Sequence, residues 1–168
     1  MANTTFSGPI RSESTIKTIS KDGTTGTITE VTTLGGAPVS LSDGNVTLTN
    51  ATHSGRVLLV PDGGQDNTYT LPAPIAGSMF RFVYAGGAAD ETDALIITPG
   101  NTNFYIGGIT HLDTNADNVT VFSNGSSNSS VQLNVPQAFD ITIMGLNTTN
   151  YQIFGTVTST TVPAFADQ

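Results

Sequence analysis

Two histidines, His53 and His111, are the only imidazoles in this chain of 168 residues. Acid–base or nucleophilic chemistry at a ring nitrogen would have to use one of them. His53 stands in THSG ahead of an apolar run, where a surface or turn position suffices to explain it. His111, in THLD, is two residues from Asp113, a spacing that arises readily by chance. The absence of cysteine removes thiolate nucleophiles, disulfides and thiolate metal sites. Two acidic groups, Asp90, Glu91 and Asp93 and then Asp113 with Asp117, supply the hard oxygens that calcium prefers. Neither follows the ligand order of an EF-hand loop with its closing Glu, so both read as solvated turns. A hydrolase would require an acid pair such as Asp113 and Asp117 to meet in a cleft. The glycine pairs Gly63-Gly64, Gly86-Gly87 and Gly107-Gly108 lack the phosphate-loop patterns and read as turn residues. Tyr69, Tyr84, Tyr105 and Tyr151 are candidates for stacking on sugars, against the simpler reading of half-buried rings at strand ends. The Asn-x-Ser/Thr triplets, Asn124 among them, follow from composition alone. The expectation is a non-enzymatic protein with no catalytic, cofactor-binding or metal-ligating residues.

Composition says what must position these groups. Thr, Ser, Asn and Gly dominate, only 11% of residues are charged, and β-branched residues outnumber the good helix formers. At 37% hydrophobic the chain is unlike a disordered one. Its polar excess is hydroxyl and amide, which suits strands with one wet face. The net charge of −8 disfavours nucleic acid as a partner. The beginning MANTTFSGPIRSE has no apolar leader, and no stretch approaches the roughly 18 apolar residues of a membrane span, which argues against a secreted or membrane protein.

Residues 1–44 lack a sustained apolar pattern and read as an extended N-terminal arm. A small hairpin within it is expected around Asp22-Gly23, between alternating stretches at 15–19 and 25–33. A β-domain over 45–168 follows the turn-rich stretch at 35–45. Candidate strands occupy 46–48, 56–60, 68–71, 79–84, 94–98, 103–106, 119–123, 131–135, 139–144 and 151–157. About ten short strands separated by Gly, Asn, Asp and Pro predict an all-β fold, an antiparallel β-sandwich or barrel. Pro61, Pro72, Pro99 and Pro136 fall at strand ends, as their missing N–H requires. Alternation places Phe80, Phe82, Phe122, Phe139, Ile141, Ile143, Ile153 and Val157 in the core. No tandem repeat of solenoid type is visible. Residues 124–130, NGSSNSS, form a polar loop or hairpin tip, and the tail is either frayed or docked through Phe165.

The opening MANTTFSGPIRSE, then HSGRVLLV, YTLPAPIAGSMFRFVY, ALIITP and the closing YQIFGTVTSTTVPAF resemble the head decoration, or cement, proteins of marine tailed bacteriophages. The resemblance spans most of the chain. It implies a virion structural protein on the outer surface of an icosahedral capsid, a homotrimer that stabilises contacts between major capsid subunits. It carries over no active site. The arm suits that role physically, because an extended segment can add to exposed sheet edges and seat separated apolar anchors. Phe6, Ile10 and Ile16 would be the anchors, and Arg11, Lys17 and Lys21 would meet capsid carboxylates. The rival expectation is a tail-fibre or receptor-binding module that contacts a host glycan through its loops.

Overall fold

The structure is a computed structural model that describes residues 18–31, 37–86, 92–115 and 118–168. The expected anchors Phe6, Ile10, Arg11, Ile16 and Lys17 lie outside the described residues. Two compact units are present, residues 1–36 and residues 37–168.

In the first unit, β1 (Thr18–Lys21) pairs antiparallel with β2 (Ile28–Val31), joining Thr18 to Val31 and Lys21 to Ile28. Lys21 is thus the last residue of β1. Its turn is organised by Asp22, whose Oδ1 accepts from the backbone N–H of Thr24 at 2.7 Å and of Thr25 at 2.8 Å. The Thr25 and Thr24 amides hold the Asp22 carboxyl below its ordinary pKa.

The second unit contains β3 (Val39–Ser40), β4 (Val46–Thr47), a single helical turn α1 (Asn50–His53), β5 (Arg56–Val60), β6 (Asn67–Thr70), β7 (Met79–Tyr84) and β8 (Ala94–Ile97). These are followed by β9 (Phe104–Asp113), β10 (Val119–Phe122), β11 (Ser130–Leu133), β12 (Ala138–Gly145), β13 (Asn150–Ser159) and β14 (Ala164–Ala166). They form a seven-stranded sheet in the order β10-β9-β13-β12-β7-β5-β3 and a five-stranded sheet in the order β14-β11-β8-β6-β4. One shared core lies between them. The compact unit begins at Ala37, so residues 37–44, grouped with the arm by sequence, supply a strand and the core residue Leu41.

From β3 to β9 the chain changes sheet at every step. Strands adjacent in a sheet are therefore two apart in sequence and run the same way: β3, β5 and β7 are parallel neighbours, as are β4, β6 and β8. This is a short two-sheeted coil, and it makes both sheets mixed rather than purely antiparallel. Val39, Leu58, Phe82 and Ile141 stand in register across one sheet, and Val46, Tyr69, Ile96 and Val131 across the other. Leu58 follows Val39 by 19 residues, Phe82 follows Leu58 by 24, and Ile96 follows Tyr69 by 27. With no constant period, the coil leaves no repeat in the sequence.

Side chains at one corner tie the coil together. Asp43 Oδ2 accepts from Gly64 N at 3.1 Å, Asn45 Oδ1 from Thr68 N at 3.0 Å, and Asp66 Oδ1 from Asp93 N at 2.9 Å. Asp93 in turn accepts from Val135 N at 2.9 Å. Each of these bonds joins one crossing loop to the next crossing or strand start.

The core corrects two expectations. Tyr69, Tyr105 and Tyr151 are fully buried rather than available for stacking on sugars, and Tyr84 packs partly buried against the core. Tyr105 Oη donates to Ile96 O at 3.1 Å and Tyr151 Oη to Pro72 O at 2.8 Å, so both hydroxyls bridge the two layers. Phe122, conversely, points outward and is 70% exposed, because it opposes outward-facing Gly108 while Val119 and Val121 take the other parity. Gly107 and Gly108 are strand residues of β9, not turn residues. Gly107 has φ +108, and a Cβ there would strike the Ile153 carbonyl oxygen. Phe165 in β14 docks edge-on to Tyr105, and Gln168 Nε2 donates to Thr98 O at 2.8 Å, so the tail is docked.

Two outcomes test this core. Phe82→Ala removes a ring that contacts Tyr69 across the layers and is expected to cost about 3–5 kcal/mol in chemical denaturation. Burial raises the pKa of Tyr105, with Tyr151 contributing, and burial raises that of Tyr151. Both phenols stay neutral in the fold while the unfolded chain ionises near pH 10, so stability is full below that value and falls as pH rises beyond it. Phenolate absorbance should show these two tyrosines titrating only with unfolding.

Candidate functional site

The residues weighed for catalysis do not form a constellation. His111 is buried, its Nε2 facing Ser159 Oγ at 3.0 Å and Ser159 O at 3.1 Å, while its Nδ1 has no hydrogen-bond partner. The Asp113 carboxylate instead accepts from Asn115 N at 2.7 Å, closing its own turn. His53 ends α1, where Nδ1 accepts from Thr49 N at 2.9 Å. Asp93 spends both carboxylate oxygens on Val135 N and Gln132 Nε2. Asp90, Glu91 and Asp117 lie outside the described residues. Among the described residues no three His, Asp or Glu side chains converge as a metal site. No helix of the described residues is long and apolar enough to cross a membrane.

The structure concentrates charge instead. Strands β3, β5, β7, β9 and β13 run in one direction through the seven-stranded sheet. The loops leaving β3, β5 and β7 and the end of β9 therefore share one end of the sandwich. Asp43, Asp62, Asp66, Asp93 and Asp113 all stand there. The opposite end is built from residues 48–55, 71–78, 98–103, 123–129 and 146–149, which contain no Lys, Arg, Asp or Glu. Asp167 reaches that end, where its Oδ1 accepts from Asn128 Nδ2 at 3.3 Å.

Arg56, at the start of β5, flanks the same end, which is thus charge-poor in its loops; apolar side chains emerge there, with Ile75 54% and Leu146 40% exposed. The two loops that bear them are bonded together: Gly77 N donates to Gly145 O at 2.9 Å, and Gly145 N to Ser78 O at 2.8 Å. A third loop, 123–129, is folded by Asn124, whose Oδ1 accepts from the backbone N–H of Ser126, Ser127 and Asn128. It crosses between the sheets from β10 to β11, and Ser130 already belongs to β11.

A second feature lies on the outer face of the seven-stranded sheet, a depression of about 530 Å³ lined by Met79, Arg81, Asp140, Thr142, Phe154, Gly155 and Thr156. Register sets its shape. Phe154, Thr142 and Arg81 form one cross-strand row over β13, β12 and β7, with Thr156 and Asp140 in the next row. Arg81 Nε donates to Asp140 Oδ1 at 2.8 Å and Nη2 to Oδ2 at 2.5 Å, a bidentate pair with side chains 48% and 44% exposed. The Arg81 hydrogen bond lowers the Asp140 pKa, and the same pairing raises that of Arg81. Phe154 is 47% exposed, and its neighbour across the β13–β9 pairing is Gly108, over which the Phe122 ring lies. The signal for both exposed rings was strand parity: Val119 and Val121 argue for an outward Phe122, as Ile153 and Val157 do for Phe154.

Comparison with protein-family models and with curated proteins finds no match to this chain.

Because Asp140 is more acidic folded than unfolded, its pairing contributes stability above the unfolded carboxylate pKa of about 3.9, and that contribution is lost as pH falls through the lowered folded value. Asp140→Asn is expected to cost no more than about 1 kcal/mol at neutral pH, the range for solvent-screened pairs. The difference from the parent should shrink in acid, as parallel urea titrations at both pH values would measure.

Proposed function

We propose that the chain is a non-enzymatic virion structural protein that binds the outer surface of a phage capsid and stabilises contacts between major capsid subunits. The observation that carries this reading is the segregation of charge along the strand axis. An end whose crossing loops carry no Lys, Arg, Asp or Glu, edged by Ile75 and Leu146 with Arg56 and Asp167 only flanking those loops, limits the cost of stripping water from ions when it is pressed against a protein lattice. The carboxylates of Asp43, Asp62, Asp66, Asp93 and Asp113 would then face solvent. There they keep neighbouring particles apart by like-charge repulsion.

The likeness of HSGRVLLV, YTLPAPIAGSMFRFVY and YQIFGTVTSTTVPAF to head decoration proteins supplies the capsid as the partner. Copies grouped in threes on a repeating lattice would multiply contacts that are individually weak. The basic residues and apolar anchors of the first unit would add a second grip.

Mixing the purified protein with tailless phage heads, sedimenting them and counting copies per head tests this directly. Saturation at a lattice-scale number is expected, and the double variant Ile75→Asp, Leu146→Asp should weaken binding at least tenfold while its denaturation midpoint stays close to the parent's. No binding, or a few copies per particle, would overturn the reading.

A further inference from the structure

We infer that the depression on the outer face of the seven-stranded sheet is a saccharide-binding site, holding one neutral pyranose unit between the Phe154 ring and the Arg81–Asp140 pair with Thr142 as its floor. This inference does not depend on capsid attachment, for which the end bearing Ile75 and Leu146 is the proposed contact.

Phe154, Thr142 and Arg81 are consecutive across β13, β12 and β7, and neighbouring strands are about 4.8 Å apart. Phe154 and Arg81 are therefore about 10 Å apart at the backbone, with the short Thr142 between them, and Arg81 reaches across to Asp140, two residues from Thr142 on the central strand. A flat aromatic ring on one side and fixed donors and acceptors on the other match the two aspects of a sugar ring. Its C–H face is apolar and packs on aromatic carbon, and its hydroxyl rim needs hydrogen bonds.

The ion pair is suited to that rim. A guanidinium has five N–H donors and a carboxylate about four lone-pair sites, and the pairing uses Nε and Nη2 on one side and one contact on each carboxylate oxygen on the other. A sugar hydroxyl both donates and accepts, so it can sit against the two charged groups at once. The pair already holds both groups in place, so binding does not have to order them. Thr142 and Thr156 add hydroxyls of their own.

Gly155 contributes by what it lacks. Its φ is +148, and a Cβ there would strike the Asp140 carbonyl oxygen, so only glycine keeps this part of the lining at backbone level. Charge selects the ligand class. Arg81 is the one cation among the described lining residues and Asp140 offsets it, which favours a neutral sugar over a sulfated or carboxylated one.

The test is to titrate the isotopically labelled full chain with dextran, galactan and mannan oligosaccharides, following backbone amide shifts, with heparin as an anionic comparison. Saturable shifts at Thr142, Phe154 and Thr156 with at least one neutral series are expected. Phe154→Ala should weaken that binding tenfold or more, Phe154→Tyr should retain it, and Thr142→Phe, which fills the floor without touching the core, should abolish it. Shifts confined to other residues, equal binding by Phe154→Ala, binding of heparin alone, or no response to any sugar would each overturn the proposal. Head sedimentation of the same variants reads the capsid contact separately, since all three substitutions leave the end bearing Ile75 and Leu146 intact.

Discussion

Everything in residues 37–168 depends on one constraint: the two sheets have a single apolar interior in common, and each strand from β3 to β9 can bury its inner face only by facing strands that belong to the other layer. Leu58 and Phe82 in one sheet and Tyr69 and Ile96 in the other are successive members of the same coil. Neither sheet could form alone, because its inward side chains would then face water. The tyrosine hydroxyls bonded to Ile96 O and Pro72 O extend the same dependence to polar atoms. They cross the core and leave their donors satisfied where no water reaches.

That constraint explains what was legible in the sequence and what was not. The strands at 56–60 and 79–84 could be read to the residue: the first is a short apolar run closed by Pro61, and in the second Phe80 and Phe82 alternate with the exposed Met79 and Arg81, a period of two whatever the neighbour. Direction is another matter. A strand with one buried face carries the same alternation whether its neighbour is parallel or antiparallel, so the coil of β3 to β8 was invisible and the antiparallel expectation had nothing to correct it. Two-residue β3 and three-residue β14 are too short to show a period at all. Length misled in β9, where Gly107 and Gly108 look like a break but continue the strand beside Ile153 and Val121.

The candidate site was less legible than the fold for a related reason. Chemical type does not mark its residues, which are ordinary: two Phe on the outward parity, two Thr, and an Arg and an Asp that are 59 positions apart in the chain. Only pairing of β7 with β12 brings Arg81 within reach of Asp140. The tyrosines, whose type suits sugar stacking, belong to the core or pack against it. The charge segregation was present in the sequence throughout, since the loops 71–78, 98–103 and 146–149 contain no ionisable acid or base, but recognising them as one end requires knowing the strand directions.

The long parallel pairing of β9 with β13 has a consequence for synthesis. Its partners, beginning with Phe104 and Asn150, are 46 residues apart, with β10, β11 and β12 between them. Non-local pairings of this kind close late and slow the folding of β-proteins. Until β13 is added, β9 has no partner on one of its edges, and β12, paired with β7 on one side, has none on the other. A nascent chain halted before residue 150 therefore carries two bare strand edges into a crowded cell, and the interval before completion is when this protein is most exposed to mispairing with its own copies.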